Sequence, residues 1–338
     1  MKRLTTLLIY TLTVLSTLIG QTVRPEIEKI VNGIAKDNVL KSEGVGYAGI
    51  RTDQWDRYIA LKEHATNEEL IALTDHKNGV VRCYSFEALA TRKDSNIYSV
   101  LIKHLTDTAI IPTFQGCLIS SLSVGDYFLE VVTPQHVNLD AYKLTEIERK
   151  KIDSIIIFGK NVKLNAKSEV LKKIKPEPHY YNRIREILIN EKDDNALIAL
   201  SKFQQQQDKE FIIERLTSNN QNIQYYGLQA VKYFPDSAFF TYLSAIHSDE
   251  IKKSTGFNHS LIRVLYLAIV QYKNPQSREL LELTLNTTSK LAFQYHSEYI
   301  WLALELYPDT IYDGIQPSLS ISPYRKRELQ FWFENEDR

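Results

Sequence analysis

The chain has 338 residues, with 41 Lys and Arg against 41 Asp and Glu, so its formal net charge is zero. This balance disfavours a protein that binds nucleic acid or an anionic membrane, because such proteins carry a basic excess or a basic stripe. Only 12 Gly and 10 Pro occur, too few for a many-stranded sandwich or barrel, and two Cys exclude a disulfide scaffold, an iron–sulfur protein and a Cys-rich zinc module.

The first 20 residues have the pattern of a secretory signal peptide. Lys2 and Arg3 give a charged start, residues 4–19 form an uncharged apolar run, and Gly20 supplies a small residue at the expected cleavage site. The run is short and rich in Thr for a bilayer core of ~30 Å, so a retained membrane anchor is the weaker alternative. The sequence predicts an exported bacterial protein, periplasmic, secreted or on the cell surface, that contacts a membrane only through this segment if it is uncleaved.

Internal repetition is the strongest signal in the rest of the chain. Residues 79–89 recur in related form at 112–122 and 221–231, and a looser copy runs through residues 262–270. The first two copies are 33 residues apart, the length of one helix–turn–helix unit. One such unit cannot bury its apolar face alone, so stacking of several units is implied.

The first copy has the pattern of the second helix of such a unit. Its apolar and small residues fall on one helical face, at Val81, Ser85, Ala88 and Leu89, and the small ones allow a neighbouring helix to approach closely. Residues 67–74 and 96–105 also have a helical period, and Thr66 with Glu69 predicts a capping box at the start of the former. Pro112 is predicted to open the second copy in a first helical turn.

The segment Asn78–Leu89 resembles the second-helix signature of the HEAT-like repeat family, including its phycobilisome-lyase-type subclass. The family pattern Asp/Asn-Pro-x-Val-Arg-x-x-Ala-x-x-Ala-Leu is matched with Gly79 for Pro and Ser85 for the first Ala, and Gln115 and Gln224 replace the Arg in later copies. The resemblance implies an α-solenoid that presents a binding surface, and it implies no single activity.

These features predict an all-α fold, an α-α superhelix or HEAT-like solenoid of stacked helical hairpins. After the signal peptide at residues 1–20, we expect a partly irregular N-terminal extension, N-terminal HEAT-like repeats, a helical insertion or divergent repeat, and C-terminal HEAT-like repeats with a capping helix, at residues 21–52, 53–123, 124–182 and 183–338 respectively.

Residues 44–49 match the dinucleotide-binding pattern G-x-G-x-x-G by letter. That motif requires a buried strand before it and a helix that begins at it, so that backbone N–H groups point at a pyrophosphate. Residues 38–43 do not read as a buried strand, and no βαβ unit follows. We expect a flexible loop here and no nucleotide cofactor.

Histidine and cysteine spacings indicate no metal site. No pair among the eight His has the i, i+4 spacing of a metal-binding helix, so we expect solvated histidines near turns and no metal. Cys83 and Cys117 are predicted on second helices of adjacent repeats at non-equivalent positions. Two small buried side chains are therefore favoured over a disulfide bond, although export would permit one.

Paired carboxylates occur at residues 68–69, 193–194 and 334–337. On an α/α scaffold such pairs can hydrolyse glycosidic bonds. At predicted helix starts and at a chain end they are better explained by the helix dipole or by solvation. An envelope enzyme that hydrolyses glycan or peptide is kept as the alternative function, and no catalytic residue is assigned.

Tyrosine is abundant, with 20 residues. Tyr buries a large area with little loss of entropy and keeps a polar tip, which suits recognition surfaces, although packing between helices is the other use of such rings. The candidate partner-binding residues flank the core stripe of predicted second helices, at Tyr84, Glu87, Tyr225, Gln229 and Lys232. We expect a non-enzymatic protein–protein interaction scaffold in the cell envelope, which binds a protein or an envelope component and uses no cofactor, metal or nucleic acid.

Overall fold

The computed structural model describes residues 23–133, 141–287 and 289–336, and this part of the chain is mostly helical with one small sheet. The signal segment predicted at residues 1–20 lies outside the described residues. The chain divides into two compact units, the first ending at Lys167 and the second beginning at Ser168. The predominance of helix agrees with the predicted fold class.

The elements up to the boundary are α1 (Pro25–Asp37), β1 (Leu40–Val45), α2 (Asp53–His64), α3 (Asn67–Leu73), α4 (Gly79–Thr91), α5 (Ile97–His104), β2 (Ile110–Gly116), β3 (Leu118–Ser123), α6 (Val124–Val132) and α7 (Glu146–Phe158). The boundary falls within α8 (Ala166–Lys173). The elements beyond it are α9 (Tyr181–Glu186), α10 (Asn195–Ser201), α11 (Lys209–Leu216), α12 (Gln221–Tyr233), α13 (Phe240–Ile251), α14 (His259–Ile269), α15 (Pro275–Thr287), α16 (Lys290–Leu306) and α17 (Pro323–Glu336).

Helix α4 forms the core of the first unit. It begins after Asn78, whose side chain accepts a hydrogen bond from the backbone N–H of Val81 and so satisfies one of the unpaired donors of the first turn. The helix packs against α1, α2, α3 and α6 and is buried on nearly all sides. The predicted face is buried throughout, at Val81, Ser85, Ala88 and Leu89.

A three-stranded sheet in the order β1, β2, β3 lies in the same unit. Strand β1 runs parallel to β2, with Leu40 opposite Thr113, and β2 runs antiparallel to β3, with Gln115 opposite Leu118. Gly116 turns the hairpin with a φ of +55°, in the left-handed region that favours glycine. The sheet is therefore a tight hairpin extended on one side by β1.

The prediction that residues 112–122 form the second helix of a repeat is wrong, because these residues belong to the hairpin of β2 and β3. Ile111 and Thr113 are buried while Ile110 and Pro112 are exposed, so burial follows the period of two of a strand. The match to the repeat depended on apolar and small residue types, which a hairpin rich in β-branched residues also contains.

The second unit contains a succession of helical hairpins. Helix α12 packs against α10, α11 and α14, and α14 packs in turn against α13 and α16, while α13 also contacts α11 and α15. Gly227 occupies the repeat position of Ser85, and a Cβ atom there would lie 2.9 Å from the backbone nitrogen of Leu216 on α11. The close helix approach predicted from the small residues of the repeat therefore occurs in this hairpin.

Helix starts were better predicted than the segments between repeats. The capping box of Thr66 and Glu69 is present at the start of α3. The extension at 21–52, expected to be partly irregular, begins with α1, where Pro25 stands in the first turn as the fixed φ of proline allows. The segment 124–182 contains α6, α7 and α8.

In the described part of the chain, no helix is both long and apolar enough to cross a bilayer.

Candidate functional site

A cavity of about 400 Å³ within the second unit gathers charged and aromatic side chains that are far apart in sequence. Its described lining includes the carboxylate of Glu169 and five cationic side chains, those of Lys172, Lys173, Lys202, Lys232 and Arg263. Four aromatic rings stand among these charges, those of Tyr225, Tyr233, Tyr307 and Phe333. Its volume lies within the range of binding sites for small molecules or for a few side chains.

Helix α12 brings three of the sequence-predicted residues to this cavity. Tyr225, Gln229 and Lys232 are four and three residues apart, which places them on one helical face, and all three line the cavity. The side-chain amide of Gln229 donates a hydrogen bond of 2.8 Å to the Tyr225 hydroxyl, which orients both groups. The structure thus brings these residues together, and their use in partner binding stays a prediction.

Two ammonium groups flank the ring of Tyr233. The Nζ atom of Lys232 lies 4.8 Å from the ring centroid and that of Lys202 lies 5.0 Å from it, within the range of cation–π attraction. Lys232 is only 6% exposed. Both ammonium groups therefore lie against this ring in the wall of the cavity.

The remaining lysines are held by the end of α8. The ammonium group of Lys202 donates to the carbonyl oxygen of Lys172 and, at 3.2 Å, to that of Ile174. The negative end of the helix dipole also stabilises a cation at this place. Glu169 accepts from Lys172 at 2.8 Å and lies 4.0 Å from Lys173. Burial lowers the pKa of Lys172, but the hydrogen bond and charge of Glu169 outweigh this, so its pKa is raised and the ammonium stays charged.

The positive lining does not reflect the overall charge of the unit. Acidic residues outnumber basic ones in residues 168–338. Cations are nevertheless concentrated at the cavity, whose described lining has a single carboxylate. The described lining is therefore richer in cationic than in anionic side chains.

The other two candidates, Tyr84 and Glu87, lie in the core of the first unit, away from the surface on which they were predicted. Tyr84 is fully buried, and its hydroxyl accepts from the backbone N–H of Lys41 at 2.8 Å and donates to the carbonyl of the same residue at 2.9 Å. Burial raises the pKa of Tyr84. Glu87 is 6% exposed and accepts a hydrogen bond of 2.6 Å from Tyr127. These contacts give both residues a structural role.

The expectation of solvated histidines is wrong for a cluster in the second unit. His247 and His296 are fully buried, and Nε2 of His247 lies 2.6 Å from the Thr284 hydroxyl. The Tyr266 hydroxyl lies 2.6 Å from Nδ1 of His296 and 3.1 Å from the same Thr284 hydroxyl. Burial lowers the pKa of both histidines to about 4, so both rings are neutral at pH 7.

The cysteines are both free, in agreement with the expected absence of a disulfide bond. Cys83 is buried in α4, as predicted, and burial raises the pKa of its thiol well above the ordinary value. Cys117 was also predicted to be buried, but it lies between β2 and β3 and is exposed. The error follows from the assignment of the hairpin as a helix.

The segment 44–49 is preceded by strand β1, which the sequence did not indicate. The strand is only partly buried, since its end residues Leu40 and Val45 are buried and the residues between them are not. Gly46 and Gly49 have positive φ angles, and the next helix, α2, begins four residues later at Asp53. The helix N-terminus required for pyrophosphate binding is therefore not formed at these glycines.

The carboxylate pairs have structural partners. Glu69 closes its capping box and binds Arg24, and these hydrogen bonds lower the pKa of Glu69 to about 2. Asp194 accepts from Arg215 at 3.0 Å. The side chains of residues 334–337 lie outside the described part of the chain. Among the described residues, no group of three or more His, Cys, Asp or Glu side chains is placed to hold a metal ion.

Sequence reasoning missed most of the cavity, namely Lys172, Lys173, Lys202 and Tyr307, because no linear pattern connects them. Two arginines of the repeat copies have different positions: Arg82 binds Asp107 at 2.9 Å, and Arg263 lines the cavity. The chain matches no model of a known protein family and no curated protein at a significant level.

Proposed function

We propose that this protein is an exported, non-enzymatic HEAT-like solenoid that acts as a protein–protein interaction scaffold in the cell envelope. The N-terminal sequence pattern supports export. The order of helix contacts from α10 to α16 supports stacked hairpins, since each hairpin packs against the next one in the chain. The partner-binding site of this scaffold is the cavity of the second unit.

One observation carries the proposal. Tyr225, Gln229 and Lys232 were selected as binding residues from the repeat pattern, and all three line one cavity. This site combines aromatic anchors with polar groups, as the centres of protein interfaces do. Tyr225 is half-buried and already oriented by Gln229, so little further side-chain entropy is lost when a partner binds.

The alternative, an envelope hydrolase, has weaker support. Hydrolysis of a glycosidic bond by carboxylates requires two of them, one on each side of the scissile bond. Glu169 supplies the single carboxylate in the described lining of the cavity, and this carboxylate is bound to Lys172. Arg and Lys side chains dominate the wall instead, which suits binding better than acid–base catalysis by paired carboxylates.

The test is site-specific photo-crosslinking with the full chain expressed in its own host. A photoreactive residue replaces Tyr225 or Gln229, and the matched control carries it at Tyr324, which is 65% exposed and outside the cavity lining. We expect a crosslinked protein of one defined mass from the two cavity positions and none from position 324.

The same cells report on export. We expect the protein in the envelope or secreted fraction, with Gln21 as its first residue by mass spectrometry. A chain that stays in the cytoplasm with its first 20 residues attached would contradict export. Equal crosslinking from position 324, or no crosslinking from the cavity positions, would contradict the scaffold function.

A further inference from the structure

The second unit contains another cleft, of about 240 Å³, between α14, α16 and α17. It borders the cavity, with which it shares Arg263 and Phe333. The rest of its described lining includes His259, Ser260, Tyr299, Arg325, Leu329 and Trp332. We infer that this aromatic cleft binds an uncharged glycan, one sugar ring of which packs against the exposed indole of Trp332. The glycan is a second ligand, in addition to the partner protein of the proposed function.

Trp332 is the most exposed of the three tryptophans in the chain. It is 58% exposed, whereas Trp301 is 4% exposed and Trp55 is half-buried. Tryptophan is highly buried on average, because its large ring gains much free energy when it leaves water. Arg325, Leu329 and Trp332 are four and three residues apart, so one face of α17 brings them to the aromatic cleft. The cleft therefore presents a large ring that a ligand can cover.

The polar groups of the aromatic cleft come from the start of α14 and from α17. His259 and Ser260 are exposed in the first turn of α14, so their ring nitrogens and hydroxyl can exchange water for a ligand. Arg325 donates to Glu298 at 2.9 Å and to Glu328 at 3.1 Å, and these contacts use two of its five N–H donors. Hydrogen-bonding groups of both kinds thus line the same cleft as the indole.

The charge of Arg325 is compensated within the unit. Glu298 is 4% exposed and Glu328 is half-buried, and both carboxylates bind the guanidinium of Arg325. An anionic ligand would have to compete with these carboxylates. A hydroxyl group can instead accept from the remaining N–H donors and leave both ion pairs in place. These contacts favour an uncharged ligand that is rich in hydroxyl groups.

A sugar ring combines the two properties that this lining requires. The C–H groups on one face of the ring are apolar and can pack on the indole, while the hydroxyl groups at its rim can bond to His259, Ser260 and Arg325. An apolar peptide side chain would cover the indole but leave these polar groups without partners, which costs free energy. The volume of about 240 Å³ is below the roughly 300–1,000 Å³ of sites for drug-sized ligands, so it suits one ring of a longer glycan.

The experiment is isothermal titration calorimetry of the full chain with five neutral tetrasaccharides, those of α-linked glucose, β-linked glucose, mannose, galactose and N-acetylglucosamine. We expect saturable binding of at least one of them, and binding about tenfold weaker in Trp332→Ala. Because Trp332 is exposed, this substitution should leave the fold intact. The matched control is Tyr324→Ala, which removes another exposed ring of α17 outside the lining, and its affinity should stay within about twofold.

Two further comparisons separate a glycan from other ligands. Ser260→Ala should also weaken binding, because a sugar uses this hydroxyl, whereas a ligand held by the indole alone would not be affected. The tetrasaccharide of galacturonate has a carboxylate on every ring. It should bind no more tightly than the tetrasaccharide of galactose, and the affinity for the neutral glycan should not change between low and high salt.

The inference is overturned if none of the five tetrasaccharides binds, if Trp332→Ala and Tyr324→Ala weaken binding equally, if Ser260→Ala has no effect, or if the galacturonate chain binds more tightly than its neutral counterpart. None of these results alters the crosslinking from Tyr225 and Gln229. A partner captured there by a protein that binds no tetrasaccharide would leave the scaffold function standing and reject the glycan. Glycan binding without a captured partner would do the reverse.

Discussion

The hydroxyl of Tyr127 on α6 donates a hydrogen bond of 2.6 Å to the carboxylate of Glu87 on α4, in the core of the first unit. The two helices pack against each other, and both side chains are at least nine-tenths buried. A buried carboxylate is stable only when its hydrogen-bonding capacity is met. Tyr127 therefore joins α6 to the central helix and supports a residue that the sequence had placed on a binding surface.

We expect Tyr127→Phe to destabilise the protein by about 1–3 kcal/mol, because it removes the donor and leaves the acceptor buried. Urea unfolding measures the change. The matched control is Tyr47→Phe, since Tyr47 is fully exposed and should alter the free energy of unfolding by less than about 0.5 kcal/mol. Equal effects of the two substitutions would contradict the structural role assigned to Glu87.

The buried pair His247 and His296 predicts a loss of stability in mild acid. Their pKa is about 4 in the folded protein against an ordinary value of 6.5, so between these limits the unfolded chain binds more protons than the folded one. Stability is therefore full above pH 6.5 and declines as the pH falls. We expect a loss of about 2 kcal/mol for each histidine between pH 6.5 and pH 5.

Hydrogen exchange of the amides of α14 and α16, corrected for intrinsic rates, measures this decline in the unit that holds both rings. His296→Gln should make the pH dependence shallower, and His64→Gln, at an exposed position, should leave it unchanged. The carboxylates that titrate below pH 5, such as Glu69, are outside this window. A pH dependence that is the same in all three proteins would show that other groups cause it.

The approach of α12 to α11 at Gly227 predicts opposite effects for two glycine substitutions. In Gly227→Ala the new Cβ meets the backbone nitrogen of Leu216 at 2.9 Å, which cannot move without shifting α11, so we expect destabilisation of about 1–3 kcal/mol. In Gly33→Ala, within α1, the Cβ meets only the flexible end of the Arg57 side chain. Alanine should stabilise α1 by up to about 1 kcal/mol there. Thermal unfolding measures whether each substitution lowers or raises the stability of the protein.

The different burial of the two cysteines predicts selective labelling. Cys117 is exposed at the hairpin turn, whereas Cys83 is buried and its thiol has a raised pKa, so its thiolate is scarce and inaccessible. We expect a maleimide to modify one thiol of each folded chain and both thiols in urea. Cys117→Ser should abolish the labelling of the folded chain and Cys83→Ser should leave it. Modification of Cys83 in the folded state would contradict the packing of α4.

Much of the helical structure could be predicted because its signals are local. The capping box of Thr66 and Glu69 depends on neighbours within one turn of helix, and the close approach at Gly227 joins two helices that follow each other in the chain. The hairpin at residues 110–123 could not be predicted in the same way. Its residue types are compatible with either element, and its pairing with β1 joins residues more than 70 positions apart, as Leu40 and Thr113 show.

The cavity was predictable only in part for a related reason. The repeat pattern indicates which face of α12 is free of the core stripe, and Tyr225, Gln229 and Lys232 follow from it. The pattern gives no weight to Lys173 or Lys202, because their positions depend on how α8 and α10 end. The same reasoning placed Tyr84 beside the core stripe as a binding residue, although β1 covers Tyr84 through the backbone of Lys41.

The outer edge of β3 affects how solutions of this protein will behave. The strand contains no charged residue, its side chains Leu118 and Ile119 are 75% and 78% exposed, and among the described residues no strand pairs with its free side. Natural sheets usually protect such an edge with a lysine, a proline or a bulge. Two molecules in a concentrated sample can therefore associate edge to edge through β3. A single Ser121→Lys substitution would place a charge on this edge and oppose that association.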